Sequence, residues 1–312
     1  MTMTVDVHAH AFPAAYIAMA DRLGVKVAGF GKMLVDDSDD LAVRFGRMAD
    51  AGVSRQVLSP SIAPYTQDQG LAVDATRIVN DNYAESCARH PDRLSMWVSL
   101  PLPHVEASLR EIDRAFDRPG AVGVTLHCFC LGESIAHARF DQIYEALNAR
   151  SATVFLHPCQ NGLCSSLIND WGLTICAGAS MEDSLAALHL IAAGIPSRYP
   201  SIRFIVPHFG GILPMLLERL DGQMPKDKLP ELPSITARRF YYDTVGWGSR
   251  AALQAAVAAF GAEQIVVGSD YPYLLNWESY TTTIDHVRRA GLSEADISMI
   301  LQNGARLITR GS

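Results

Sequence analysis

No stretch of this sequence stays apolar for the ~18 residues that a membrane-crossing helix needs. No secretion signal is expected either, as Met1–Thr4 lead straight into a β-branched segment. Both absences point to a cytoplasmic chain. The six cysteines, Cys87, Cys128, Cys130, Cys159, Cys164 and Cys176, form no C-x-x-C pair. That points to free thiols used for packing or pocket lining, with Cys128, Cys130, Cys159 and Cys164 placed near a pocket mouth. A basic stripe is also missing. With a formal net charge of −7 and a pI near 5.8, binding to a phosphate backbone is excluded. There is no internal repeat and no low-complexity tract. The longest charge run, residues 36–40, reads as a solvated helix start.

What is present is a large core. Of the 312 residues, 49% are hydrophobic and 19% charged, as in a globular enzyme. Eight short apolar runs recur: Val5–His8, Arg55–Ser59, Leu94–Val98, Ala121–Leu126, Thr153–His157, Ile202–Val206, Phe240–Thr244 and Gln264–Gly268. Their nearly continuous hydrophobicity suits strands of a parallel sheet buried on both faces. Helical patterns alternate with them: Asp40–Ala51, Asp74–His90, His104–Phe116, Ala138–Arg150, Asp183–Ala193 and Arg250–Phe260. Several stop at a glycine or proline. The alternation predicts an α/β fold, a (β/α)8 TIM barrel formed as one domain over residues 1–312. An open doubly wound sheet is disfavoured, because no glycine-rich phosphate turn follows the first strand. Long loops after strands 1 and 5, residues 12–39 and 159–182, are expected to fold over a site. A third, residues 221–236, is expected at the surface or a subunit contact.

Histidines and one aspartate gather at predicted strand ends. His8 and His10 close strand 1, His157 closes strand 5, His208 follows strand 6 and Asp270 follows strand 8. In a barrel these ends converge on one face, where active sites lie. Residues i and i+2 share a side of a strand, so His8 and His10 reach one ion while Ala9 points away. Imidazole and carboxylate donors suit zinc, manganese or iron. His104, His137, His189 and His286 read as structural. His127, at the end of strand 4, is a candidate for the pocket lining. Phe12, Trp171, Trp247 and Tyr273 are candidate walls for an aromatic substrate, and Ser59 and Pro60 are similarly placed.

The segments Val5–Pro13, Phe155–Pro158, Pro207–Gly211 and Gly268–Tyr273 resemble the signatures of the amidohydrolase superfamily. More narrowly, they resemble its decarboxylase branch, which includes aminocarboxymuconate semialdehyde decarboxylase and the salicylate- and resorcylate-type decarboxylases. The resemblance runs from about Val5 to Arg306. It implies one divalent metal, zinc first and manganese second, on His8, His10, His157 and Asp270. It also implies His208 as catalytic acid/base, and a homodimer. Binuclear members bridge two metals with a lysine on strand 4. No lysine occurs between Lys32 and Lys226, so one metal is expected.

The implied reaction is non-oxidative decarboxylation of a small aromatic or unsaturated hydroxy- or amino-carboxylic acid. His208 or Asp270 would deliver the proton, and Asp270 would also orient His208. The muconate-type enzyme grips its substrate with an arginine after strand 1. Here Arg22 is the only arginine between Phe12 and Asp40, and Arg44 belongs to the next helix. A salicylate-like acid is therefore at least as well supported. Two alternatives use the same centre: hydrolysis of a lactone, ester or amide, and hydration of a carboxylated diene. A metal-binding scaffold without activity is disfavoured, because every ligand and the base are present.

Overall fold

A computed structural model describes residues 3–25 and 37–309 of the chain. Residues 26–36, part of the long loop expected after strand 1, lie outside the described residues. Eight parallel strands pair in chain order. They are β1 (Val5–His10), β2 (Arg55–Ser59), β3 (Leu94–Ser99), β4 (Ala121–His127), β5 (Thr153–His157), β6 (Arg203–Val206), β7 (Tyr241–Asp243) and β8 (Ile265–Val266). Backbone bonds from β1 to the segment after β8 complete the ring: Val7 N donates to Val267 O at 2.9 Å and His10 N to Tyr271 O at 2.6 Å. Sequential order with closure is the TIM barrel, and it rules out the open doubly wound sheet. The last three strands are shorter than their apolar runs suggested.

The helical layer comprises α1 (Asp37–Asp50), α2 (Gln69–Arg89), α3 (Val105–Ala115), α4 (Asp141–Ala149), α5 (Ala179–Ala192), α6 (Leu217–Gln223), α7 (Arg250–Phe260), α8 (Tyr280–Arg289) and α9 (Glu294–Ile308). Helix α5 begins four residues before the expected Asp183, which brings Glu182 into its first turn. Against the expectation from the sequence, the helical stretch Thr174–Ala192 is long and apolar enough by length and composition to cross a membrane, but Glu182 and Asp183 interrupt its apolar run and half of it is buried within the molecule. The third long loop holds two short turns, Lys226–Lys228 and Pro233–Ala237.

Two apolar cores flank the strands. The outer one packs Val98, Leu126, Leu156 and Val206 against the helices. The inner one fills the barrel with Val5, Val7, Val57, Trp97, Phe155, Ile205 and Val266. Strict alternation would send Val7 and His8 to opposite faces. A β-bulge prevents this. Register steps from Asp6↔Gln56 to Ala9↔Leu58, so Val7 and His8 together oppose Val57. Val7 ends the inner apolar layer, and the chain turns inward again at His8. The Val7 carbonyl accepts a bond from Trp97 Nε1 at 2.8 Å, which anchors the bulge to the plug of the barrel.

Candidate metal centre

His8, His10, His157 and Asp270 meet at the C-terminal mouth of the barrel. One donor atom from each lies within 4.8 Å of the others. All three histidines are buried, and Asp270 is 15% exposed. The three imidazoles are oriented alike. His8 Nδ1 lies 2.7 Å from Asp243 Oδ2, His10 Nδ1 lies 2.9 Å from the Ser59 carbonyl, and His157 Nδ1 lies 2.9 Å from the Pro158 carbonyl. Each of these oxygens accepts a hydrogen, so each Nδ1 carries one and each Nε2 keeps its lone pair. Among the described residues, His8 Nε2 has no hydrogen-bonding partner. His10 Nε2 lies 3.0 Å from Asp270 Oδ1. Two acceptors this close call for a cation between them, and a set of three nitrogens and one oxygen fits a divalent transition metal.

Protonation agrees with that role. Burial holds His8 and His157 well below the ordinary histidine value, and the neighbouring histidine charges push His157 further down. Burial works to raise Asp270, but the surrounding histidines, His10 first, hold its carboxyl below the usual range. The local backbone is strained where chemistry is expected. Asp270 and His208 have φ of 59° and 53°, a left-handed conformation that non-glycine residues adopt only when the surroundings enforce it. Gly268 makes room for the His8–Asp243 pair. A Cβ there would lie 2.8 Å from Asp243 Cβ and 3.0 Å from His8 Cβ.

His208 stands beside the cluster, with its ring centroid 5.6 Å from that of His8, and is 15% exposed. Its orienting partner is not Asp270. His208 Nδ1 lies 2.7 Å from Asp183 Oδ2, and its backbone N donates to Asp243 Oδ1 at 2.9 Å. Burial alone would lower the imidazole; Asp183, then Asp243 and Asp270, carry it up to about 9. Burial raises Asp183 as well, against the pull of His208. Three carboxylates face the one imidazole and favour its protonated form. In the Gly210-Gly211 pair that follows, Gly211 (φ 60°) meets α5 so closely that a Cβ would lie 2.0 Å from the Ser180 carbonyl.

Supporting residues that the sequence reading did not assign are Asp183, Asp243, Glu182 and Asp6. Glu182 is buried, and its carboxylate accepts from four consecutive amides: Cys159 at 2.5 Å, Gln160 at 3.1 Å, Asn161 at 3.0 Å and Gly162 at 2.8 Å. This fastens the loop after His157 to α5. Asp6 lies outside the bulge and accepts from Ser269 N and Oγ, His8 N, Gln56 Nε2 and Tyr280 OH. It ties β1 to β2, to the Asp270 segment and to α8. Burial pushes Asp6 up and its donors draw it partly back, leaving it at about 6.

The expected wall residues divide. Phe12 is buried, with its ring 6.4 Å from His10 and 5.9 Å from Tyr273. Tyr273 lies 5.7 Å from the His10 ring and bonds Ser61 Oγ at 3.0 Å. Trp171 is 77% exposed, and Trp247, 45% exposed, packs on Trp277. Among the cysteines, Cys128 donates to Asp183 Oδ1 at 3.4 Å, while Cys164 is exposed. His127 is buried beside His157, with ring centroids 5.3 Å apart. His104 bonds Thr66 O, His189 bonds Ser134 Oγ and His286 bonds Thr283 O, while His137 caps the turn at Ala138–Phe140.

A closed (β/α)8 barrel with an H-x-H pair on β1, a histidine on β5 and an aspartate after β8 is the architecture of metal-dependent hydrolases. The amidohydrolase family model matches residues 5–307, so the chain belongs to that family. It is 29% identical to 6-methylsalicylic acid decarboxylase of Penicillium expansum over 279 residues, covering 86% of this chain and 84% of that protein. It is 28% identical to gamma-resorcylate decarboxylase of Rhizobium radiobacter, covering 83% and 84% respectively. Among solved structures, the dihydroxybenzoic acid decarboxylase of Polaromonas sp. JS666, with bound manganese and the inhibitor 2-nitroresorcinol, superposes with a TM-score of 0.84. It is 23% identical and covers 99% of this chain and 97% of that one.

Proposed function

We propose that this protein is a metal-dependent carboxy-lyase that releases CO2, without an oxidant, from a small aromatic hydroxy-acid. The observation that carries this reading is one pairing. Three imidazole lone pairs and a carboxylate converge on one point, and His208, held through Nδ1 by Asp183, stands beside it. A divalent cation held by His8, His10, His157 and Asp270 would supply Lewis-acid stabilisation of negative charge on the substrate and a template for its oxygens. A single ion is expected, zinc or manganese; the manganese-bound Polaromonas relative supports manganese. The inward residue that ends β4 is His127 rather than a lysine, in keeping with one ion.

The chain's own residues do the rest. His208 holds a proton on the face where a ring carbon loses its carboxylate, and Asp183 fixes the ring through Nδ1, so Nε2 delivers that proton. Asp270 is the second candidate donor. Phe12 and Tyr273 form the apolar wall on which an aromatic ring packs; Trp171 and Trp247 would join it only at the outer rim. An arginine clamp for a muconate-type acid has no support. Arg22 is exposed, and Arg44 is buried, donating to the His10 carbonyl and to Gln56. The free thiols support a reducing, cytoplasmic compartment. Exposed Leu167, Trp171, Met215 and Trp277 support a homodimer.

The test is a substrate panel. Protein loaded with manganese or zinc is incubated with ortho-hydroxybenzoates and with lactones while CO2 and ring opening are followed. CO2 from a hydroxybenzoate is the expected result. Lactone opening with no CO2 from any hydroxy-acid would replace this reading with the hydrolase.

A further inference from the structure

The metal centre divides the barrel mouth into two unlike halves. On the β6–β7 side stand His208, Asp183 and Asp243, all charged or paired with charge. On the β2–β4 side every inward polar group is neutral: Ser59, Ser99, Thr125 and His127. Ser99 and Thr125 are register partners across β3 and β4, and His127 is the register partner of the ligand His157. Thr125 and His127 share the inner face of β4 by alternation.

This neutral half carries unused hydrogen-bonding capacity. Among the described residues, Ser99 Oγ, Thr125 Oγ1 and both ring nitrogens of His127 have no hydrogen-bond partner, although their residues are only 1% exposed. Buried polar side chains without partners are rare in native proteins, and each calls for an explanation. The His127 ring is held in place from two sides. It packs edge-on against His157 at 5.3 Å and against Tyr65 at 5.5 Å. The Tyr65 hydroxyl also accepts from the His127 backbone N at 3.1 Å. The Ser61 main chain lies near the ring and favours a proton on it, although the contact falls outside hydrogen-bond geometry. A neutral imidazole with its hydrogen turned toward Ser61 leaves the other nitrogen as an acceptor.

We infer that His127 is the specificity residue of this centre, accepting a hydrogen bond from a hydroxyl group that the bound acid carries next to its carboxylate. The inference rests on the decarboxylase reading for the class of acid, and it adds the group that recognises the hydroxyl. A site built to hydrogen-bond a substrate hydroxyl rejects the analogue that lacks the donor, because the protein's buried polar group is then left unpaired. His127 would therefore separate an ortho-hydroxy acid from its methyl ether, which keeps the oxygen and loses the hydrogen.

The test is calorimetric titration of full-length protein carrying one Mn2+ per chain with salicylate and with 2-methoxybenzoate. The wild type, His127→Phe, which keeps a ring and removes both nitrogens, and His127→Asn, which keeps an acceptor, are compared. The wild type is expected to prefer salicylate by about tenfold or more. His127→Phe should reduce that preference to about twofold or less by weakening salicylate alone, and His127→Asn should retain part of it. Equal preference in wild type and His127→Phe, or none in the wild type, would overturn the inference and leave the ring as packing or a water partner. If His127→Phe does not fold, His127→Asn decides: a preference as large as in the wild type, or none at all, would overturn it. CO2 release is measured alongside. A wild type that prefers salicylate but releases no CO2 defeats the decarboxylase reading and leaves the His127 assignment standing. Release of CO2 with no preference does the reverse.

Discussion

Asp243 Oδ2 and His8 Nδ1 lie 2.7 Å apart, and both side chains are fully inaccessible to solvent. The pair explains how a neutral imidazole keeps its Nε2 lone pair aimed at the centre: the carboxylate takes the Nδ1 hydrogen and fixes both tautomer and ring plane. Gly268 provides the space for it. Asp243→Asn keeps the shape and removes the charge. It is expected to weaken Mn2+ binding by about 10- to 100-fold, read by titration against a competing chelator. Unchanged affinity would mean that His8 is oriented by packing alone.

The His208–Asp183 pair predicts a pH dependence of stability in the metal-free protein. His208 ordinarily titrates at 6.5 and in the fold is raised to about 9. The folded state therefore holds a proton that the unfolded state releases. The stabilisation is fully present below pH 6.5 and is lost as pH rises through about 9. The shift corresponds to about 3 kcal/mol. Denaturant unfolding at pH 6 and pH 9.5 measures it, and Asp183→Asn should remove most of the difference. A variant with the same pH dependence as the wild type would assign the proton elsewhere.

Glu182 ties four amides of the loop after His157 to α5. Glu182→Ala leaves those donors without an acceptor. It is expected to destabilise the protein by about 3 kcal/mol and to expose residues 159–178 to limited proteolysis before the rest of the barrel. A loss below about 0.5 kcal/mol, the scale of an ordinary surface change, would show that the loop is held by its own packing.

Trp97 fills the barrel and donates to the Val7 carbonyl at the β1 bulge. Trp97→Phe retains most of the apolar bulk and removes the donor. The expected cost is about 1–3 kcal/mol for the orphaned carbonyl, together with weaker metal binding, because the bulge sets where His8 points. Loss of stability with metal affinity intact would separate the bulge from the centre.

The ligands were legible in the sequence because their signal is local: a histidine or aspartate at the end of an apolar run faces the same mouth as every other strand end. Phe12 lies just after β1 and Tyr273 just after Asp270, and their rings meet beside His10. The supporting acids were not legible. Asp183 and His208 are separated by 25 residues and Asp243 and His8 by 235, so no spacing rule joins them. Asp183 read as an ordinary first-turn acid, and Asp243 as one residue of a short strand. The β1 bulge is a third such case. Alternation alone sets Val7 opposite His8, and only the pairing with β2 shows both facing inward. Trp171, a candidate wall residue by its position in a long loop, is 77% exposed.

The most direct measurement is CO2 release from a carboxyl-labelled ortho-hydroxybenzoate by the wild type and His208→Asn at matched metal content, with elemental analysis of both. Release by the wild type with one metal per chain is expected, with a loss of about 10²- to 10⁴-fold in the variant while that metal stays bound. Full activity in His208→Asn, or two metals per chain, would contradict this.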